Sequence, residues 1–197
     1  YIVEKIKTLD RNSKIYAIGG MNLKKQDVEI VRDIDSLAIM GFVEVIKNFN
    51  FLKKVLEETV EFILSNNIDR VVLVDYGGFN LKLLEILKFR KPNLKITYYI
   101  PPKVWIWGKK RVPKIAKADE ILVIFPWEVE FYKRENVKAL YFGNPFMEKY
   151  EKISKKGEKI LLLPGSRKQE IIKLIPVMLE VVREKTTEIF ILKLAKE

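Results

Sequence analysis

The 197-residue chain contains no cysteine and no histidine. Without cysteine there is no disulfide framework and no thiolate metal site, a composition that suits a reducing compartment. Without histidine the usual general base, the commonest metal ligand and the usual triad partner are all missing, so proton transfer falls to a carboxylate, a lysine or a tyrosine. Zinc chemistry is not expected. Long apolar runs are absent as well: stretches such as Ile160-Leu161-Leu162-Leu163 fall far short of the ~20 residues a membrane-spanning helix needs, and the first residues do not resemble a signal peptide. The expectation is a chain that is soluble or rests on a membrane surface.

Positive charge is abundant. Lys and Arg total 37 against 26 Asp and Glu, a net charge of +11. Such a surplus concentrates anions around the protein and favours phosphate-bearing partners, among them nucleic acid, nucleotide sugars and anionic membranes. Hydrophobic residues make up 48% of the chain, enough to bury a core in one or two domains.

Short apolar segments alternate with longer amphipathic ones, which predicts strands at Lys14 to Ile18, Arg70 to Val74, Lys95 to Ile100, Glu120 to Ile124, Lys138 to Phe142, Lys159 to Leu163 and Glu188 to Leu192. Near-continuous apolar strands separated by helices imply a parallel sheet covered on both faces, an α/β, Rossmann-like class. The charge-rich stretch Lys149 to Lys159 follows the turn Gly143-Asn144-Pro145 and reads as a link between two domains, residues 1–150 and 151–197. Tyr1 to Lys7 reads as a helix entered without a cap, and the second domain stops at Glu197 after one strand-helix-strand, so a longer natural product is expected.

Four segments carry candidate chemistry. The run Val71-Val72-Leu73-Val74 ends in Asp75-Tyr76-Gly77-Gly78-Phe79-Asn80, a strand, a turn and a helix start. In an open α/β sheet ligands bind at the carboxyl ends of strands, which makes Asp75 the leading candidate for a working carboxylate; it could instead cap the helix that opens near Phe79. After the strand Ile160 to Leu163, Pro164-Gly165-Ser166-Arg167 opens a helix running towards Glu184, a geometry suited to an anion, although Ser166 with Gln169 also forms a capping box. Trp105 and Trp107 beside Lys109-Lys110-Arg111 could stack bases, or fill space under a loop. Finally, Phe42 to Leu64 reads as a helix with a core-facing stripe of Phe42, Ile46, Phe49, Leu52, Leu56, Val60 and Ile63. Phe51, Val55 and Phe62 fall nearly opposite, beside Lys47 and Lys54, and could rest on an anionic bilayer or lie under a neighbouring element or a second chain.

Taken together these motifs resemble the bacterial lipid-A-disaccharide synthases, membrane-peripheral glycosyltransferases built of two Rossmann-like domains (GT-B). The resemblance runs through Ile18-Gly19-Gly20-Met21, Leu37 to Val45, Val74 to Asn80, Pro102 to Trp107, Phe125-Pro126-Trp127-Glu128 with Phe131-Tyr132, Gly143-Asn144-Pro145 and Leu163 to Arg167. It implies transfer of a diacylated glucosamine from UDP-2,3-diacylglucosamine to 2,3-diacylglucosamine 1-phosphate (lipid X), with inversion, giving a β-1,6-linked disaccharide phosphate and UDP. No metal or other cofactor is implied. Asp75 would be the catalytic base. Gly165, Ser166, Arg167, Asn80, Trp105, Trp107, Glu128 and Asn144 would bind substrate or phosphate, and Phe42, Val43, Ile46, Phe49, Phe51 and Leu52 would contact the membrane. The location implied is the cytoplasmic face of the inner membrane, with no nucleic-acid partner. The chain would hold an N-terminal acceptor domain and only the start of the UDP-sugar domain, with little or no activity alone. The family's Gly-Glu-x-Ser-Gly-Asp motif would precede Tyr1, and Tyr76-Gly77-Gly78 and Pro101 depart from common family residues. The alternatives are another UDP-sugar enzyme of this architecture, or a non-catalytic module that binds nucleic acid or membranes.

Overall fold

A computed structural model describes residues 2–33, 49–106, 108–149, 157–165, 168–185 and 187–193. The chain divides into two compact units, Tyr1–Asn144 and Pro145–Glu197. In the first, α1 (Ile2–Leu9), β1 (Tyr16–Gly19), α2 (Met21–Lys24) and β2 (Glu29–Asp33) precede α3 (Phe49–Ser65). Then β3 (Arg70–Val74), α4 (Gly77–Arg90), β4 (Lys95–Tyr99), α5 (Val112–Ile115), β5 (Glu120–Val123), α6 (Pro126–Arg134) and β6 (Leu140–Tyr141) alternate.

The strands β3-β4-β5-β6 form one parallel sheet in that order. Leu73 lies opposite Tyr98, and Tyr98 opposite Ile121. Connections through helices are what parallel neighbours require, and α4, α5 and α6 supply them. The central strand β4 buries Ile96, Thr97 and Tyr98 in succession, so both of its faces are covered. At the edge, β3 leaves Val72 and Val74 partly exposed. Leu81, Leu84 and Leu87 of α4 pack with Leu56, Val60 and Ile63 of α3, Leu94 and the inward residues of β3 to β5 in one core. The expected α/β class with a parallel sheet and flanking helices is what the unit displays.

A strand lies at each of the seven positions read from the sequence, and Arg70–Val74 agrees at both ends. An eighth, β2, was not expected. Its Glu29, Arg32 and Asp33 interrupt the apolar pattern, but parallel pairing with β1 across the short α2 holds it extended. Lys24 pairs with Asp33, and Arg32 reaches Glu58 on α3.

Helix α3 starts at Phe49; Phe42, Val43 and Ile46 of the expected helix lie outside the described residues. Its stripe of Leu56, Val60 and Ile63 is buried as expected. On the opposite face the covered alternative is the one observed: Val55 is 0% exposed, and Phe62 meets the ring of Tyr16 on β1 edge-on at 5.1 Å. At Phe62 the covering element is β1, which a helical wheel of α3 alone does not include.

The second unit opens with a single 3-10 segment, Pro145–Lys149, followed by β7 (Lys159–Leu162), α7 (Lys168–Glu184) and β8 (Ile189–Leu192). β7 and β8 pair in parallel. No residue of α7 is buried; Ile172 and Val177 on α7, Leu161 on β7 and Ile189 on β8 are exposed apolar side chains.

Candidate functional site

The site is built at the carboxyl ends of β3, β4 and β5. The apolar β-branched run of β3 stops at Asp75, where the backbone turns left-handed at two successive residues, with φ 46° at Asp75 and 43° at Tyr76. The end of β4 does the same at Ile100, φ 55°. Left-handed backbone at non-glycine residues costs of order 1–3 kcal/mol each, and for a β-branched residue it is a clear outlier. Asn67 and Asn136 also have positive φ, but they close turns after helices, where asparagine is well suited. The strained residues therefore gather at the one sheet edge where α/β proteins place ligands.

Hydrogen bonds hold the Asp75 turn from three sides. Its N–H donates to the Tyr99 carbonyl at 3.0 Å. Its carbonyl accepts from Asn80 Nδ2 at 2.9 Å and from the Tyr98 hydroxyl at 3.0 Å, which occupies both lone pairs. The second amide proton of Asn80 goes to the Val74 carbonyl at 3.1 Å. Among the described residues nothing hydrogen-bonds or pairs with the Asp75 carboxylate, and the residue is exposed. The helix-cap reading is ruled out by the position of Tyr76, which is the N-cap of α4 and makes no side-chain cap bond.

Gly77 and Gly78 have different jobs. A Cβ on Gly77 would stand 2.3 Å from Pro102 Cγ, so this glycine lets the turn close against the loop after β4. A Cβ on Gly78 would meet nothing within 4 Å. The space beside Gly78 is open.

The loop after β4 and the start of α6 form the neighbouring wall. Glu128 is 4% exposed, and both of its oxygens are used: Oε1 accepts from Trp105 Nε1 and Oε2 from the Phe125 N–H, each at 3.1 Å. The second bond is the returning half of a capping box; Phe125 has no side-chain oxygen to make the other half. Trp105 packs edge-on against Trp127 at 4.4 Å, and Trp127 stacks on Phe125 at 5.8 Å. Lys103 Nζ stands 5.9 Å from the Phe125 ring centroid.

Beneath this wall lie two buried phenols, Tyr98 and Tyr132. Burial, then the charge of Asp75 and the neighbouring Tyr132, push the Tyr98 phenol well above its usual range, so it stays a neutral donor. Burial and then Glu128 do the same to Tyr132. The Tyr132 hydroxyl has no hydrogen-bond partner among the described residues.

The sequence-derived residues thus separate by role. Asp75 presents an open carboxylate. Asn80 was expected to face substrate, but its amide nitrogen is spent on the Val74 and Asp75 carbonyls. The indole N–H of Trp105 and both carboxylate oxygens of Glu128 are likewise engaged with each other and with Phe125. Trp107, Ser166 and Arg167 lie outside the described residues, and Asn144 is half-buried at the end of the first unit. In the second unit Gly165 has φ 94°, and a Cβ there would lie 2.6 Å from Glu170 Oε2. Tyr98 was not anticipated, although its place one residue before the end of an apolar strand, opposite Leu73, is a readable signal.

A model of the family described as lipid-A-disaccharide synthetase matches residues 1–194. The lipid-A-disaccharide synthase of Coxiella burnetii is 31% identical over 212 aligned positions, covering 99% of this chain and 56% of its own length. That of Geobacter metallireducens is 33% identical, covering 91% and 50%, and that of Persephonella marina 36%, covering 82% and 46%. The chain spans about half the length of the curated relatives it matches. It belongs to the lipid-A-disaccharide synthetase family.

Proposed function

We propose that this chain forms the acceptor-side part of a glycosyltransferase that moves a diacylated glucosamine from UDP onto the 6-hydroxyl of a diacylglucosamine 1-phosphate. The observation that carries the reading is the exposed, unheld carboxylate of Asp75 at the carboxyl end of β3. In the proposed step this carboxylate takes the proton of the acceptor hydroxyl as its oxygen attacks the anomeric carbon of the donor sugar. The bond from that carbon to the UDP oxygen breaks on the opposite face, so the configuration inverts and UDP leaves with the electron pair. No metal takes part in the proposed step. With no histidine in the chain, a carboxylate is the natural base.

Residues 1–150 would bind acceptor and membrane, and residues 151–197 would begin the UDP-sugar domain, with Gly165, Ser166 and Arg167 against phosphate. The net charge of +11 supports docking on anionic lipid at the cytoplasmic face, as does the half-buried pair Phe51 and Leu52 at the start of α3. No helix among the described residues is long and apolar enough to cross a membrane.

The test is mass-spectrometric detection of a tetra-acylated disaccharide phosphate after the full-length protein is incubated with UDP-diacylglucosamine and lipid X in micelles containing EDTA. Product formation is expected. Asp75→Asn should lower turnover by ~10²-fold or more while leaving the fold intact. A folded, full-length protein that makes no product would end this assignment.

A further inference from the structure

We infer that Asn80 and Tyr98 are positioning residues that set the aim of the Asp75 carboxylate by clamping its peptide carbonyl in a left-handed turn. This rests on the reading of Asp75 as the working carboxylate. The geometry leaves little else for the two side chains to do. Asn80 is almost fully buried, and both protons of its amide go to consecutive carbonyls, Val74 at 3.1 Å and Asp75 at 2.9 Å. Tyr98 is 0% exposed, and its hydroxyl donates to the same Asp75 carbonyl at 3.0 Å.

The two donors come from different elements. Asn80 stands in the first turn of α4, and Tyr98 in the centre of the sheet on β4. With the Asp75 N–H tied to Tyr99, the peptide is fixed from strand and helix together. Neither Asp75 nor Tyr76 is a glycine, so the turn carries its strain only while this bonding overrides the more extended alternatives. Relaxing φ at Asp75 to the ordinary negative region would swing Cα–Cβ and carry the carboxylate away from its present direction. A displacement of about 1 Å at a reacting group is enough to cost on the order of 10²-fold in rate.

Tyr98 is suited to this work because it remains protonated at working pH. Its neighbour Tyr132 does not compete for the bond, since its own hydroxyl makes none among the described residues. The clamp also explains why an asparagine stands four residues beyond Tyr76 on the buried face of a helix, where a leucine would pack as well. Replacing either donor leaves the Asp75 carbonyl short of a partner without touching the carboxylate.

The experiment is a double-mutant cycle in the full-length protein, measuring kcat and KM for UDP-diacylglucosamine and lipid X. Tyr98→Phe removes one oxygen and keeps the ring; Asn80→Leu removes both donors and keeps the volume. Each should lower kcat by about tenfold to 10²-fold with KM little changed. On an Asp75→Asn background neither should lower kcat further, because there is no longer a base to aim. A loss that persists in full on the Asp75→Asn background, or normal kcat in folded Tyr98→Phe and Asn80→Leu proteins, would overturn the clamp. If Asp75→Asn itself keeps normal turnover, the reading of Asp75 fails first, and that outcome is separate from the other two. Should Asn80→Leu not fold, Tyr98→Phe alone completes the cycle.

Discussion

Trp105 donates its indole N–H to Glu128 Oε1 at 3.1 Å across 23 residues of sequence, tying the loop after β4 to the first turn of α6. The same carboxylate reaches the Phe125 N–H with its other oxygen. One buried acid therefore fixes two elements of the sheet edge that also holds Asp75. A charge so deeply buried is tolerated because both oxygens accept hydrogen bonds and a helix N-terminus lies beside it.

Glu128→Ala is expected to cost roughly 1.5–3 kcal/mol of stability, the scale of losing hydrogen bonds to a charged group. Glu128→Gln should cost less, since its one remaining oxygen can still accept from one donor. Urea unfolding of the two variants measures the difference. Tryptophan emission in Glu128→Ala should also shift to the red as Trp105 loosens from Trp127. Equal stability of wild type and Glu128→Ala would contradict the role assigned to this acid.

The two glycines of the turn predict opposite outcomes for the same substitution. Gly77→Ala drives a methyl into Pro102, a rigid ring at 2.3 Å from the new carbon, and should destabilise by roughly 1–3 kcal/mol. Gly78→Ala enters open space on a helix and should be neutral or stabilising by up to about 1 kcal/mol. Unfolding midpoints that move in the same direction by the same amount would show that the approach to Pro102 does not matter.

The strand, turn and helix around Asp75 are legible because an apolar β-branched run, two glycines and a helical pattern follow one another. The strain is not. Sequence rules assign left-handed backbone to Gly77 or Gly78, yet the turn takes it at Asp75 and Tyr76 and uses Gly77 for clearance. The hydrogen bonds that hold it come from Asn80 and also from Tyr98, 23 residues away, and Tyr99 on the next strand. Strand β2 was hidden for a related reason: its charged residues are paired with Lys24 and with Glu58 of α3, partners no local pattern contains. For Val55 the sequence leaves bilayer and covering element open, because a helical wheel describes one helix whereas burial depends on what surrounds that helix; its side chain is fully buried.

Asp119 should make part of the stability depend on pH at the acid end. Burial works against its charge, but the Lys88 ammonium at 2.6 Å, the Ile96 N–H at 2.7 Å and Lys95 outweigh that and hold the carboxyl below its ordinary value of 3.8. A folded value lower than the unfolded one contributes stability that is fully present above 3.8 and lost as pH falls through the folded value. Asp119→Asn should therefore be less stable than wild type near pH 6, by about 1–2 kcal/mol, with the gap closing as pH falls below 3.8 and through the folded value. Urea midpoints across that range decide it; a gap that stays constant would mean the carboxylate's charge contributes nothing.

Phe51 and Val55, one helical turn apart near the start of α3, allow the proposed membrane contact to be tested separately from core packing. Val55 is fully buried, so Val55→Ser removes apolar contact and inserts a hydroxyl into the core, at a cost of roughly 2 kcal/mol or more. Phe51 lies one turn earlier and is only half-buried. If this end of the helix meets lipid, Phe51→Ser should leave stability within about 1 kcal/mol of wild type and weaken binding to anionic phospholipid vesicles about fivefold, the equivalent of losing ~1 kcal/mol of apolar transfer. Val55→Ser, compared at a temperature where it remains folded, should bind vesicles as wild type does. The opposite pattern, with Phe51→Ser losing stability on the scale of Val55→Ser and keeping its vesicle affinity, would assign Phe51 to the core and move the search for the lipid-facing surface away from this helix.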